Sequence, residues 1–171
     1  AVFPFMQGGP LNHCIAAKAV SFKEALHDSF KEYAQNIVSN AKALGEGLIN
    51  NGIEVVSGGT DNHLLLLDLT KTGLSGKEGE VALDSVGIYT NKNMVPYDKR
   101  KPMDPSGLRI GTAALTTRGF GEEEMRQIGE MIARTVNNST KQEMLDGIRD
   151  RVEEMTMAHP LYEGWSYESP E

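Results

Sequence analysis

One arginine stands in a context that suits the binding of a carboxylate. Arg109 belongs to the segment Leu108-Arg109-Ile110-Gly111, and strand alternation places its guanidinium on the opposite face from Leu108 and Ile110. Gly111 follows two residues later on the same face, where the missing side chain leaves room for a ligand. An arginine beside such a gap can hold a carboxylate through two parallel hydrogen bonds. The alternative is an ordinary ion pair with one of the chain's many acidic residues.

A glycine pair stands just before the first predicted helix. Gly8 and Gly9 lie in Gln7-Gly8-Gly9-Pro10, ahead of Asn12, which is placed to cap that helix. Glycines at such a position allow backbone N–H groups to approach an anion at the positive end of the helix dipole. Two glycines before a helix also form a common tight turn, so both interpretations stay open.

The other polar residues give weaker signals. Asn91-Lys92-Asn93 opens a long loop that contains three prolines, and asparagines there can either bind a ligand or favour a turn for local reasons. His63 precedes an apolar strand, and its position is compatible with a functional role and equally with a purely structural one. The histidines are scattered without metal-ligand spacing, and Cys14 is the only cysteine. We therefore expect no metal site and no intrachain disulfide.

Composition and charge narrow the class of protein. The 171 residues carry 17 Lys plus Arg against 24 Asp plus Glu, which gives a net charge of −7 and argues against a nucleic-acid surface. No apolar stretch reaches the roughly 18 residues of a membrane span. The start at Ala1 has neither an initiator Met nor a secretion signal. We expect a cytoplasmic protein, with this chain beginning inside a longer sequence.

Hydrophobic periodicity predicts the elements that position these residues. Their order is helix, helix, strand, strand, helix, strand, strand, helix, helix, which favours a small α+β layer with a sheet on one side and helices on the other. No parallel βαβ series is visible. The predicted helices start at Asn12, at capping boxes beginning with Ser29, Ser75 and Ser139, and after Gly121; the predicted strands are 53–56, 63–69, 88–90 and 108–115, with a loop at 91–107.

Four blocks of sequence together resemble the serine hydroxymethyltransferase family. They occur in the family's order and with compatible gaps, and the likeness extends from residue 1 to about residue 160. The blocks are residues 1–4 with 7–11 and 15–20, residues 55–63 (Val-Val-Ser-Gly-Gly-Thr-Asp-Asn-His), residues 91–93 (Asn-Lys-Asn), and residues 106–112 (Ser-Gly-Leu-Arg-Ile-Gly-Thr) with 115–120.

The resemblance implies an α/β enzyme of the aspartate-aminotransferase-like fold (fold type I) that uses pyridoxal 5'-phosphate. Such an enzyme interconverts serine and glycine and transfers a one-carbon unit to tetrahydrofolate. Residues 1–28 would end its large cofactor-binding domain, residues 29–160 would form the C-terminal small domain, and residues 161–171 a tail. The family's Schiff-base lysine lies upstream of Ala1, so no catalytic residue is expected in this chain, which alone would be inactive.

The resemblance also implies roles for the candidate residues. Gly8 and Gly9 match the loop whose amides contact the cofactor phosphate of the neighbouring subunit. Arg109 matches the arginine that binds the substrate carboxylate, and Asn93 matches the asparagine of a folate-facing loop. The implied partners are serine or glycine, folate, and further copies of the chain in a homodimer or a dimer of dimers.

Four positions depart from the family pattern, and one alternative function stays open. The family usually has small residues where Phe5 and Met6 stand, asparagine where Tyr97 stands, near the folate side, and proline where Ala113 stands. The alternative is a free-standing, non-catalytic small domain that binds a partner subunit or an amino acid. The absent lysine separates the two hypotheses, because a chain without it cannot hold the cofactor covalently at the family's position.

Overall fold

The structure is a computed structural model that describes residues 2–161 of the chain. Two compact units are present, Ala1–Gln35 and Asn36–Glu171. The predicted tail, apart from its first residue Leu161, lies outside the described residues. The functional division predicted near residue 28 stays a prediction.

The first unit contains a loop, helix α1 (Asn12–Ala25) and the beginning of helix α2 (Asp28–Asn50). The predicted cap of α1 is wrong, because Asn12 is already helical and Leu11 occupies the capping position without a side-chain bond. The capping box at Ser29 is also wrong. The Ser29 hydroxyl lies 2.9 Å from Nδ1 of His27, and Ser29 is already helical because α2 begins at Asp28.

Besides two short 3₁₀ helices (Val56–Gly58 and Thr70–Thr72), the described part of the second unit contains the rest of α2 and four further α-helices. These are α3 (Gly76–Asp84), α4 (Ala113–Thr117), α5 (Glu122–Asn137) and α6 (Gln142–Ala158). The capping box of α3 is confirmed: the Ser75 N–H donates to Glu78 Oε2 at 2.7 Å, and the Glu78 N–H donates to Ser75 Oγ at 3.2 Å. The bond from the Ser75 N–H lowers the pKa of Glu78.

Helix α6 starts later than its predicted capping box. Residues 138–140 form a turn that contains Ser139, and Lys141 takes the capping position without a side-chain bond. The Lys141 ammonium donates instead to Asn138 Oδ1 at 2.8 Å. The box at Ser139 is therefore wrong, although the helix itself is confirmed.

Four antiparallel strands form one sheet in the order β1-β2-β4-β3. This arrangement confirms an α+β domain without parallel crossovers. The strands are β1 (Glu54–Val55), β2 (Leu64–Asp68), β3 (Asn91–Asn93) and β4 (Gly107–Gly111).

Two predicted strands are placed incorrectly. No strand covers 88–90, because Gly87 turns the chain with φ +82° and the Ile88 N–H donates to Leu83 O at 3.0 Å, which closes the end of α3. Strand β3 begins at Asn91, three residues after the start of the predicted strand 88–90. The predicted strand 108–115 ends at Gly111, and its last residues form α4, where alanine and leucine favour a helix.

The core lies between the inner face of the sheet and the helices. The inward-facing strand residues Val55, Leu65, Leu67, Leu108 and Ile110 are all buried and belong to one apolar cluster with the helix side chains. On the opposite face Glu54, Leu64, Arg109 and Gly111 are exposed. The sheet therefore has one covered face and one open face, and the open face carries the candidate arginine.

Candidate functional site

Arg109 lies in the middle of β4, on the open face of the sheet. Its neighbours in register are Leu66 on β2 and Asn91 on β3, so both flanking strands hold its backbone in place. Within residues 2–161 its guanidinium makes no ion pair or hydrogen bond, whereas every other arginine has a polar partner. The alternative of an ordinary ion pair therefore finds no support, and the guanidinium is available to a ligand.

Arg109 and Asn93 both line an open cavity of about 800 Å³. Its volume falls within the range of small-molecule sites, which runs from roughly 300 to 1,000 Å³. The lining includes the exposed Lys42 of α2, the loop 57–62, and Leu64 and Leu66 of β2. Lys42 has no ion-pair partner among the described residues. The cavity thus offers two unpaired cations to an anionic ligand.

The loop 57–62 lies between the predicted strands 53–56 and 63–69 and forms a wall of this cavity, although the sequence predicted no binding role for it. Its backbone turns sharply through left-handed conformations at Ser57 (φ 69°) and Gly58 (φ 70°), followed by Gly59 at φ 152°. Asp61 and Asn62 follow and also line the cavity. The sequence offered only a general signal, because polar residues in a loop that joins two strands are often used for binding.

Asn93 lies in β3 and not at the start of a loop, so the predicted loop from residue 91 is wrong at that end. It pairs in register with Gly107 of β4. Its side-chain amide donates to the carbonyl of Met94 at 2.7 Å, and the residue also lines the cavity with Arg109. The structure therefore brings two predicted site residues of this unit into one cavity.

A salt bridge attaches β3 to the helix layer. Glu80 of α3 accepts hydrogen bonds from the N–H of Lys92 and from its ammonium, both at 3.1 Å. The bond from the Lys92 N–H is the main cause that lowers the pKa of Glu80. These bonds fix the edge strand that carries Asn93.

The space beside Gly111 differs from the prediction. A Cβ atom at this position would lie 3.1 Å from Leu64 Cδ2 and 3.2 Å from the carbonyl oxygen of His63. The gap that we expected to admit a ligand is therefore filled by the neighbouring strand. The open side of Arg109 lies instead toward the cavity with Asn93.

The loop between β3 and β4 is held by one carboxylate. Asp98 accepts hydrogen bonds from Ser106 Oγ at 2.7 Å and from the N–H groups of Ser106 at 2.8 Å, Arg100 at 2.9 Å and Val95 at 3.3 Å. Desolvation raises the pKa of Asp98, but the Ser106 hydroxyl and these N–H groups outweigh it and bring the pKa far below its usual value. The carboxylate therefore stays charged and orders the loop.

Tyr97 in this loop adopts a left-handed backbone conformation, with φ 56° and a fully exposed ring. Asparagine tolerates this conformation better than tyrosine, for which it costs about 1–2 kcal/mol. We expect Tyr97→Asn to raise the free energy of unfolding by about 1 kcal/mol, measured by urea denaturation. Tyr89→Asn is the control, because Tyr89 is also exposed but has no positive φ. Equal effects of the two variants would contradict the strain argument.

Gly8 and Gly9 lie in the first unit, ahead of α1. Their N–H groups have no hydrogen-bond partner in the part of the chain that the structure describes. A Cβ atom at either position would meet nothing within 4 Å, and neither residue has a positive φ. The fold of the unit therefore does not require glycine here. Two free amides without side chains nearby fit the oxygen atoms of a phosphate group.

Two negative findings concern the described residues alone. No group of three or more His, Cys, Asp or Glu side chains comes close enough there to hold a metal ion. No helix in residues 2–161 combines the length and apolar character that crossing a membrane requires.

The fold and the cavity define a small α+β domain whose open sheet face carries an arginine without an ion-pair or hydrogen-bond partner among residues 2–161. A family model described as serine hydroxymethyltransferase matches residues 1–132, and the chain belongs to this family. A serine hydroxymethyltransferase from Koribacter versatilis (strain Ellin345) is 53% identical over 160 residues. That alignment covers 94% of this chain and 38% of the relative, so the chain spans about two-fifths of the relative's length.

Proposed function

We propose that this chain is the carboxylate-binding, C-terminal portion of a serine hydroxymethyltransferase. The observation that carries the proposal is Arg109, which has no polar partner within the described residues, lies on the open face of the sheet, and lines a cavity large enough for an amino acid and part of a larger co-substrate. A planar guanidinium binds a carboxylate through two parallel hydrogen bonds. Family membership makes serine and glycine the amino acids in question.

In this proposal Arg109 binds and orients the substrate and transfers no proton. Two of its N–H groups fix the plane of the substrate carboxylate, and this restricts rotation of the amino acid about its Cα atom. Pyridoxal 5'-phosphate, when bound, supplies the electron sink for cleavage of the bond at that atom. The N–H groups of Gly8 and Gly9 hold the phosphate of this cofactor, and Asn93 faces the tetrahydrofolate co-substrate.

The remaining parts of the proposal concern the complete protein. Residues 1–28 end the large domain of a fold type I enzyme, and residues 29–160 are its small domain. The lysine that holds the cofactor covalently comes from the part of the enzyme that corresponds to the rest of the relative. The complete protein is a cytoplasmic homodimer or dimer of dimers, in which the glycine loop of one subunit serves the cofactor of the other.

The test compares the full-length protein with the 171-residue chain. We expect the full-length protein to form glycine from serine only when both pyridoxal 5'-phosphate and tetrahydrofolate are supplied, and the chain alone to form none. Glycine is measured by chromatography at several serine concentrations. Turnover by the chain alone, or a full-length protein that does not convert serine, would contradict the proposal.

A further inference from the structure

Thr112 follows the last residue of β4, the strand that carries Arg109, and forms hydrogen bonds to three other parts of the chain. It is completely buried. Its N–H donates to the carbonyl of His63 at 3.1 Å, and its hydroxyl donates to the carbonyl of Ile37 in α2 at 2.9 Å. Its own carbonyl accepts hydrogen bonds from the N–H and the hydroxyl of Thr116 in α4, both at 2.9 Å.

Asn40 extends this network into the core. The residue is 2% exposed, and its side-chain amide donates to Thr116 Oγ1 and to the carbonyl of Phe120, both at 2.9 Å. The network therefore consists of Asn40, Thr112 and Thr116, and it joins α2 to the corner between β4 and α4. Phe120, whose carbonyl accepts one of these bonds, belongs to the main core cluster.

The network is connected to three parts of the chain that line the cavity. On one side, Thr112 directly continues the strand of Arg109. On the other side, His63, whose carbonyl accepts from Thr112, follows the loop 57–62 that lines the cavity. Helix α2 contributes a further wall through Lys42, two residues after Asn40. A displacement of Thr112 would therefore move the arginine and the facing loop relative to each other.

We propose that Thr112, with Thr116 and Asn40, is a positioning residue that sets the placement of Arg109 for the substrate carboxylate. This inference rests on the proposed function of Arg109. Apolar packing permits small sliding movements, whereas hydrogen bonds are directional, so the bonds of Thr112, Thr116 and the Asn40 side-chain NH₂ group favour one arrangement of these elements. A carboxylate bound at two points is sensitive to such a displacement, since two parallel hydrogen bonds form together only at one relative placement of the guanidinium and the carboxylate.

The experiment measures the serine KM and kcat of the full-length enzyme with substitutions in the network. Thr112→Val keeps the volume and removes the hydroxyl, and we expect it to raise the serine KM about tenfold with kcat within about twofold. Thr112→Ser restores the hydroxyl and is expected to return the KM to within about twofold of the wild type. Thr116→Val is measured as well, because it decides the question if Thr112→Val does not fold.

Thr135→Val is the matched control. Thr135 is also completely buried, and its hydroxyl donates to a carbonyl, that of Met131 in α5, at 2.8 Å. Thr135 does not line the cavity. We expect this variant to lose stability as Thr112→Val does, while its serine KM stays unchanged.

The outcomes separate this inference from the proposed function. A higher KM in Thr112→Val and Thr116→Val, restored in Thr112→Ser and absent in Thr135→Val, supports the positioning role. An unchanged KM in both network variants overturns it, as does an equal rise in Thr135→Val. Arg109→Lys is measured in parallel. If that variant also leaves the KM unchanged, the proposed function fails together with the inference; if it alone raises the KM, only the inference fails.

Discussion

Arg109→Lys is expected to raise the serine KM of the full-length enzyme about tenfold to a hundredfold, since a hydrogen bond to a charged group contributes about 1.5–3 kcal/mol. An ammonium keeps the positive charge but cannot reproduce the planar pair of donors. The guanidinium has no partner among residues 2–161 that the substitution would leave unpaired, so the fold is not expected to change. Steady-state kinetics at saturating tetrahydrofolate measures the effect.

Arg134→Lys is the control for this prediction. Arg134 is a surface arginine on α5 whose guanidinium lies 3.5 Å from Glu130, and exposed pairs of this kind contribute little to stability. Its substitution is expected to leave the serine KM unchanged. An unchanged KM in Arg109→Lys would remove Arg109 from the substrate site.

Gly129→Ala is expected to destabilise the protein by about 2–3 kcal/mol, although alanine is normally the better helix former. Gly129 lies on α5 where this helix crosses α2. A Cβ atom there would come within 2.9 Å of the backbone of Gly47 and of Leu44 O and Leu48 N. Backbone atoms cannot move aside as a flexible side chain can, so the two helices would have to separate.

Gly147→Ala on α6 is expected to stabilise the protein, which is the opposite of the effect expected for Gly129→Ala. A Cβ atom at Gly147 meets nothing within 4 Å, so only helix propensity acts, and the variant is expected to gain about 0.5–1 kcal/mol. Chemical denaturation of both variants measures the difference. If Gly129→Ala were stabilised like Gly147→Ala, the close crossing of α2 and α5 would be wrong.

The features that the sequence predicted correctly depend on neighbours in the chain. The Ser75 capping box was predictable because its two partners are three residues apart. Strand alternation predicted the open face for Arg109, since Leu108 and Ile110 on either side are apolar and buried. The boxes at Ser29 and Ser139 share the pattern but fail, because neighbouring polar groups and a turn place the helix starts elsewhere.

The family was also readable from the sequence, since the order and spacing of four blocks carry that information without a structure. The sequence did not reveal the boundaries of β3 and β4, because short apolar runs such as 108–115 fit a strand or a helix equally well. Hydrogen bonds between distant segments decide between them: the Thr112 hydroxyl bonds to Ile37, 75 residues earlier in the chain.

The sequence by itself determined the residue types of the site, the existence of five of the six α-helices in the described residues, and the family. Only the tertiary structure decided that Arg109 has no acidic partner within the described residues, that the loop 57–62 forms a wall of its cavity, and that Leu64 fills the space beside Gly111. The physical reason is that ion pairing and cavity walls depend on which distant side chains the fold brings within a few ångströms of each other. Composition and periodicity carry no information on those distances.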